Sequence, residues 1–234
     1  GTNKKKIAGI VVGCIVAIIL VAVLARPASP PVIEAPPVEE GWIRLRIENV
    51  GSIDYPPDFL ELQSGDYREF IEEFYIVYEL RLSDFTLQQG GLNELRPSAL
   101  EEYRRVVFQT FYLSGGEEVW RAKQKYVVSQ QELSDFHAEL VNERRQQHAA
   151  SKSMGLGDIR ILDSGSLRVL EVNGMFPLVW TYTRQLNDNP VVLVTEYMFP
   201  NYNKMHRLTF EYRVVAAEEC GDIYAKILAS FRLQ

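Results

Sequence analysis

The longest uninterrupted apolar run lies near the start of the chain: Ile7 to Ala25 (IAGIVVGCIVAIILVAVLA) has no charge, no proline and no strongly polar side chain. As a helix it spans roughly 28 Å, close to the ~30 Å hydrocarbon thickness of a bilayer, so residues 7–25 are predicted to form one membrane-spanning helix. The pattern then changes twice. Residues 26–41 hold five prolines (PASPPVIEAPPVEEG from Pro27) and no periodic apolar face. They predict an extended, semi-rigid linker reaching up to roughly 45 Å. From Trp42 onward, residues 42–234 show the mixed periods of one α+β domain, an antiparallel sheet packed against helices.

Within that domain WIRLRI (42–47) alternates as a half-buried strand requires. Gly51 to Tyr55 and Phe59 to Leu62 are short strand candidates, separated by Pro56-Pro57. Tyr67, Phe70, Ile71 and Phe74 have helical spacing before the β-rich run Tyr75 to Leu82, and Ser98 with Glu101 forms a capping box that starts a helix. Arg105 to Leu113 reads as a strand. A second capping box, Ser129 with Glu132, precedes Leu133, Phe136, Leu140 and Val141, predicting a helix to about His148 whose outer face carries Glu139, Glu143, Arg144 and Arg145. Leu167 to Val172, Phe176 to Leu186, Val191 to Phe199 and Met205 to Val214 are strand runs divided by Asn-Gly, Asn-Asp-Asn-Pro and Pro-Asn-Tyr-Asn turns. Ile223, Tyr224, Ile227, Leu228 and Phe231 then form the apolar stripe of a C-terminal helix. Both helices are expected on the same face of the sheet, with Phe231 buried.

Flanking charge orients the apolar segment. Lys4, Lys5 and Lys6 precede it, whereas Arg26 is followed by Glu34, Glu39 and Glu40. The positive-inside bias puts residues 1–6 in the cytoplasm and the domain on the extracytoplasmic side, periplasmic or extracellular, of a single-pass protein of the cytoplasmic membrane. Two processing routes compete with a retained anchor. One is cleavage after Ala25; the other is lipidation of Cys14, because VVGC resembles a bacterial lipobox. Gly9, Gly13 and Ala17 recur at GxxxG spacing, which lets two membrane helices pack closely, although small residues are common in such spans.

Composition is ordinary for a globular domain: 47% apolar, 11% aromatic and 24% charged residues. The net charge of −6 with dispersed basic residues argues against a nucleic-acid partner. Catalytic chemistry is sparse. The two cysteines are Cys14, in the apolar segment, and Cys220. No intradomain disulfide is therefore expected, and Cys220 reads as a buried thiol. His137 and His148 stand about 16 Å apart on one helix and cannot share a metal, and His206 reads as a surface or strand-edge residue. Ser164-Gly165-Ser166 and Ser114-Gly115-Gly116 are turn sequences without a nucleophile elbow or a partner acid and His. Gly155-Leu156-Gly157 lacks the context of a phosphate loop. Glu72-Glu73 and Glu101-Glu102 diverge around helix axes. No enzyme activity, cofactor or metal is expected.

Tyr182, Arg184, Tyr197, Tyr202, Arg207, Tyr212 and Arg213 lie on or beside the predicted hairpins, and Tyr and Arg are the residue types that carry interface energy. They are the candidate partner surface; the competing reading packs the aromatics beneath the helices.

The segments GSIDYPPDFLELQSG, VTEYMFPNYNKMHRLTFEYR and IYAKILASFRL, with Ser230-Phe231 near the end, resemble the PsbP-like family. That fold is shared by the extrinsic photosystem subunit P, a Ran-binding nuclear import factor and many bacterial exported domains. The resemblance covers residues 42–234, most clearly the last 70, and implies a bacterial exported member. It implies a non-catalytic accessory subunit or protein-binding module of a membrane complex; the Gly9, Gly13 and Ala17 spacing separately allows self-association through the anchor. The alternative is an envelope stress or cargo-handling protein that binds a small ligand or lipid in a groove between helix and sheet.

Overall fold

The computed structural model describes residues 40–63, 84–90, 102–112, 121–125, 127–153, 155 and 157–233, together with the backbone of 32–33. Its strands are β1 (Val32–Ile33), β2 (Ile43–Ile47), β3 (Gly51–Tyr55), β4 (Glu61–Leu62), β5 (Phe85–Gln88), β6 (Arg104–Tyr112), β7 (Ile159–Ser164), β8 (Arg168–Val169), β9 (Glu171–Val172), β10 (Leu178–Leu186), β11 (Val192–Asn201), β12 (Lys204–Arg213) and β13 (Arg232–Leu233). Among the described residues two α-helices accompany them, α1 (Gln130–Ser153) and α2 (Ala217–Ser230). An 8-stranded sheet runs in the order β4-β5-β6-β12-β11-β10-β7, with β8 also paired to β10. Every pairing within it is antiparallel. A second sheet, β13-β3-β2, is also antiparallel, and β1 pairs with β9 in parallel. The protein is α+β and mainly antiparallel, as its alternating runs require.

Turn chemistry sets the strand boundaries. Asn173 and Gly174 both have positive φ, 53° and 71°, the backbone of a type I′ turn, and Val172 bridges Met175 across it. Asn187 and Tyr202, in the two following turns, also have positive φ. Gly51 meets a different demand: a Cβ there would stand 1.8 Å from the Arg232 carbonyl oxygen, so only glycine lets β13 pair with β3.

The two helices lie on opposite faces of the sheet, correcting the expectation of a shared face. On β12, His206, Leu208, Phe210 and Tyr212 point toward α2, where Tyr224 packs against Phe210 and Tyr212. The alternate residues Met205, Arg207, Thr209, Glu211 and Arg213 point toward α1. β11 does the same, sending Tyr197 and Phe199 one way and Val194, Glu196 and Met198 the other. Both parities carry large side chains, so the sheet needs cover on both faces.

α2 covers the larger core. Ile227 and Phe231 are 0% exposed, and Phe231 stacks at a tilt on Phe199 and Phe108. Phe231 is not helical: it takes an extended conformation at the C-cap and leads into β13. The helix end is held by Asn173 Nδ2, which donates to the Ala229 and Phe231 carbonyls at 2.8 and 3.0 Å. Ser230 Oγ accepts from the Asp54 N–H at 2.8 Å and donates to the Ile227 carbonyl at 2.7 Å. His206 belongs to this core as well. It is 1% exposed, lies 5.9 Å from the Phe108 ring centroid and pairs through Nδ1 with Thr110 Oγ1 at 3.1 Å. That corrects its reading as a surface residue; strand parity places it in the row of Leu208 and Phe210.

The capping box of α1 is formed. The Ser129 N–H donates to Glu132 Oε2 at 2.8 Å and the Glu132 N–H to Ser129 Oγ at 3.1 Å. The helix continues five residues past His148. Only Leu133 on it is buried, so α1 lies as a partial cover on β7, with His137 edge-on to Trp180 of β10. The strands β5 and β7 were not expected, and β7 forms one edge of the large sheet.

No helix among the described residues is long and apolar enough to cross a membrane. Residues 7–25, with Gly9, Gly13 and Ala17, lie outside the described residues, as do Ser98, Glu101 and the run 67–82. Within the expected linker, Val32–Ile33 pair with Glu171–Val172.

Candidate binding site between the long helix and the sheet

Strand parity gathers an unusual set of charges beneath α1. β12 contributes Arg207, Glu211 and Arg213, and β6 sets Gln109 opposite Arg207 and Arg105 opposite Glu211. β11 adds Glu196, and β10 adds Tyr182 and Arg184, in register with Val194 and Val192. α1 supplies Arg144 from above.

Two carboxylates organise this layer. Glu196, 2% exposed, receives Arg144 Nη2 at 2.6 Å and the Tyr182 hydroxyl at 3.1 Å on Oε1. Arg207 Nη1 stands 3.7 Å from its Oε2. Glu211, 6% exposed, receives Arg184 Nη2 and Arg105 Nη2, each at 2.9 Å, together with the Tyr103 hydroxyl. Arg207 also donates to Gln109 Oε1 and lies 4.6 Å above the Phe111 ring. Arg213 donates to the Pro190 carbonyl and sits over Tyr103.

The electrostatics lean to the cationic side: Arg105, Arg144, Arg184, Arg207 and Arg213 gather around Glu196 and Glu211, with Glu143 of α1 also close enough to Arg144 and Arg207 to favour their charge, in a protein whose net charge is −6. Burial opposes the charge of Glu211, but Arg105 and Arg184 overcome it and hold the carboxyl well below the usual range. Burial likewise opposes Arg144, and the adjacent Glu196 outweighs it, raising the guanidinium. Arg207 goes the other way. Burial exceeds what Glu196 returns at 3.7 Å, so its affinity for the proton falls, although a guanidinium remains charged at neutral pH. Arg144 Nε, Arg207 Nε and Glu196 Oε2 are buried without a hydrogen-bond partner among the described residues. Donor capacity is therefore left over on the cationic side, and burying such groups unpaired is costly. Nearby His148 is pushed down to about 4 by burial and by Arg144 and Arg184.

A cleft of about 270 Å³ opens between the C-terminal half of α1 and β7, with Arg145, His148, Lys152 and Arg160 on its walls beside Asp158. Lys152 pairs with Asp158 at 3.0 Å, and Arg160 donates to the Asn187 carbonyl at 2.9 Å. Lys152 and Arg160 are thus engaged.

The structure divides the sequence-predicted partner surface. Tyr182, Arg184, Arg207 and Arg213 come together beneath α1. Tyr197 and Tyr212 lie on the opposite face, edge-on to Phe210 and Tyr224. Tyr202 sits in the β11–β12 turn, 39% exposed, under Arg121. Sequence reasoning missed Arg144, Glu196, Glu211, Tyr103, Arg105 and Gln109. Arg144 was expected on the outer face and is corrected here: it continues the row Phe136, Leu140, at i+4 steps, onto the sheet. For Glu196 the signal was its parity with Val192, Val194 and Met198 inside an apolar strand.

One pairing was also missed elsewhere. Ser164 Oγ lies 3.0 Å from His137 Nε2, a partner the sequence did not reveal. The same oxygen accepts from Trp180 Nε1 at 3.1 Å, so the pair ties α1 to β7 and β10. Among the described residues no three His, Cys, Asp or Glu side chains converge on a metal position.

No protein-family model matches the chain, and no curated protein matches it. The solution structure of cyanobacterial PsbP (CyanoP) from Synechocystis sp. PCC 6803 is similar, with a TM-score of 0.48 and 8% sequence identity, covering 84% of this chain and 94% of that one. A likeness at that level assigns the chain to no family.

Proposed function

We propose that this protein is a membrane-anchored, non-catalytic accessory subunit whose extracytoplasmic domain binds a protein partner, receiving an acidic group of that partner against the arginine layer beneath α1. The observation that carries the reading is the excess of guanidinium over carboxylate there, with the Nε of Arg144 and of Arg207 unused. A carboxylate delivered by a partner supplies acceptors in the planar geometry that guanidinium groups match. Two groups on which catalysis could draw are committed to structure: His206 is in the core, and Cys220 is 1% exposed with its thiol pushed up to about 11 by burial. The anchor rests on the apolar segment 7–25 and its lysine flank. The test is a photoreactive residue in place of Gln109 in the full chain, irradiated in native membranes. The proposal expects one crosslinked protein of defined mass, lost when Arg207 is also replaced by Met; crosslinks only within the chain refute it.

A second reading, a small anionic ligand held between helix and sheet, draws on the cleft beside His148. Its volume of about 270 Å³ falls just below the ~300–1,000 Å³ usual for such sites, and two of its basic groups, Lys152 and Arg160, already have partners.

A further inference from the structure

We infer that one end of the sheet faces the membrane and rests on anionic lipid headgroups through Tyr112, Arg121, Tyr202 and Lys204. This rests on the anchor proposed above and adds which surface meets the bilayer. The pairing of β1 with β9 fixes Val32 beside Glu171. β9 lies past the β8–β10 register Val169↔Leu178, at the end of the sheet where β11 turns into β12 and where Lys204 pairs with Tyr112. Residues 26–31 alone separate Val32 from the apolar segment, and six residues reach at most roughly 20 Å when fully extended. That end of the domain is therefore held near the headgroups.

Its chemistry suits the place. Tyr112 and Tyr202 are 61% and 39% exposed, unusual values for aromatics among the described residues. Each carries a cation, with Lys204 Nζ 5.5 Å from the Tyr112 centroid and Arg121 5.6 Å from that of Tyr202. Lys123 and Lys125 are exposed next to Arg121, whose segment is joined to this end by the Phe176 N–H donating to the Ala122 carbonyl. Against these cations stand Glu171 and, at the start of α1, Glu132 and Asp135. The opposite end of the sheet carries Asp188, Glu218 and Glu219 around the β10–β11 turn and the start of α2, where Arg160 and Arg104 pair with Asp188 and Glu219. Amphipathic aromatics beside basic side chains are the residues that settle at a bilayer interface, and the negative surface potential of anionic lipid adds attraction for each Lys or Arg.

The test uses the full chain with Cys14→Ala, Cys220 being buried, reconstituted in vesicles of phosphatidylcholine and phosphatidylglycerol that carry a headgroup nitroxide quencher. A fluorophore is placed at Asn203→Cys in one sample and at Asp188→Cys, at the far end, in another. The inference expects loss of most fluorescence at position 203 and none at 188. Lys204→Glu should reverse much of that loss, as should raising the salt. Equal quenching at both positions, or quenching only at 188, overturns the orientation. A chain that floats with the vesicles while position 203 stays bright overturns the lipid contact and leaves the anchor standing. A chain that does not float overturns the anchor and this inference with it.

Discussion

Arg207 and Arg144 face the same carboxylate, yet their replacement should have opposite consequences. In Arg207→Met the losses are a charge-assisted hydrogen bond to Gln109, worth about 1.5–3 kcal/mol net, and a cation–π contact over Phe111, worth about 0.5–2 kcal/mol. The 3.7 Å approach to Glu196 is too long for a hydrogen bond and goes with them. The relief is the desolvation of a buried guanidinium, a penalty of several kcal/mol that already exceeds its pairing, since burial lowers the proton affinity of Arg207. The terms nearly cancel, and Arg207→Met should lie within about 1 kcal/mol of wild type or above it. Arg144→Met instead removes the 2.6 Å partner of a carboxylate that is 2% exposed. Breaking a buried pair in that way costs about 3–5 kcal/mol. At about 2–4 °C per kcal/mol for a domain of this size, thermal unfolding of the full chain in detergent should show Arg144→Met melting roughly 6–20 °C lower and Arg207→Met nearly unchanged. Equal destabilisation of the two variants would show that Arg207 is a structural ion-pair member rather than a charge held in reserve.

Further outcomes follow from the same geometry. Phe231→Ala should cost about 3–5 kcal/mol, because the ring is 0% exposed between Phe108 and Phe199, whereas Arg232→Ala should melt close to wild type; matching midpoints would remove the chain end from the core. His206 is neutral in the folded state, pushed down to about 4 by burial and Lys204, whereas its unfolded value is near 6.5. Its contribution is present above pH 6.5 and is lost as pH falls toward 4, by about 2–4 kcal/mol. His206→Phe should flatten the melting temperature across that window, while an unchanged slope would assign the loss to other groups. Glu211, held below the usual range, adds a separate loss at pH below about 4.3, which Glu211→Gln should abolish while lowering stability at pH 7. Protease added outside intact cells or spheroplasts should digest residues 42–234 and spare the Lys4 to Lys6 end; a protected domain would reverse the orientation.

Local rules were legible in the sequence where one or two residues decide the geometry. Asn173-Gly174 gave its turn, Ser129 and Glu132 their cap, and the alternation of residues 192–213 its strands. Which face a helix covers depends on both parities of those strands at once. Reading only the apolar members hid that Glu196, Arg207 and Glu211 share a face with Val194 and Met198. Arg144 was misplaced because a charged residue ending an apolar stripe looks like solvent-facing surface until Glu196 is set beneath it. His206 was misread for its nearness to a turn, although its parity already placed it with Leu208. β7 was missed because IRILDS alternates weakly and follows a long helix, as suits an edge strand with one side in solvent.

The arginine layer as a partner site is tested most directly by purifying the full chain from its native membranes in mild detergent, beside the Arg184→Met/Arg207→Met double variant shown to be folded by its melting curve. The account predicts that the wild-type chain elutes with a stoichiometric protein partner and that the double variant, still in the membrane fraction, elutes without it. A wild-type chain that elutes alone with a bound small molecule, or a double variant that keeps its partner, would contradict it.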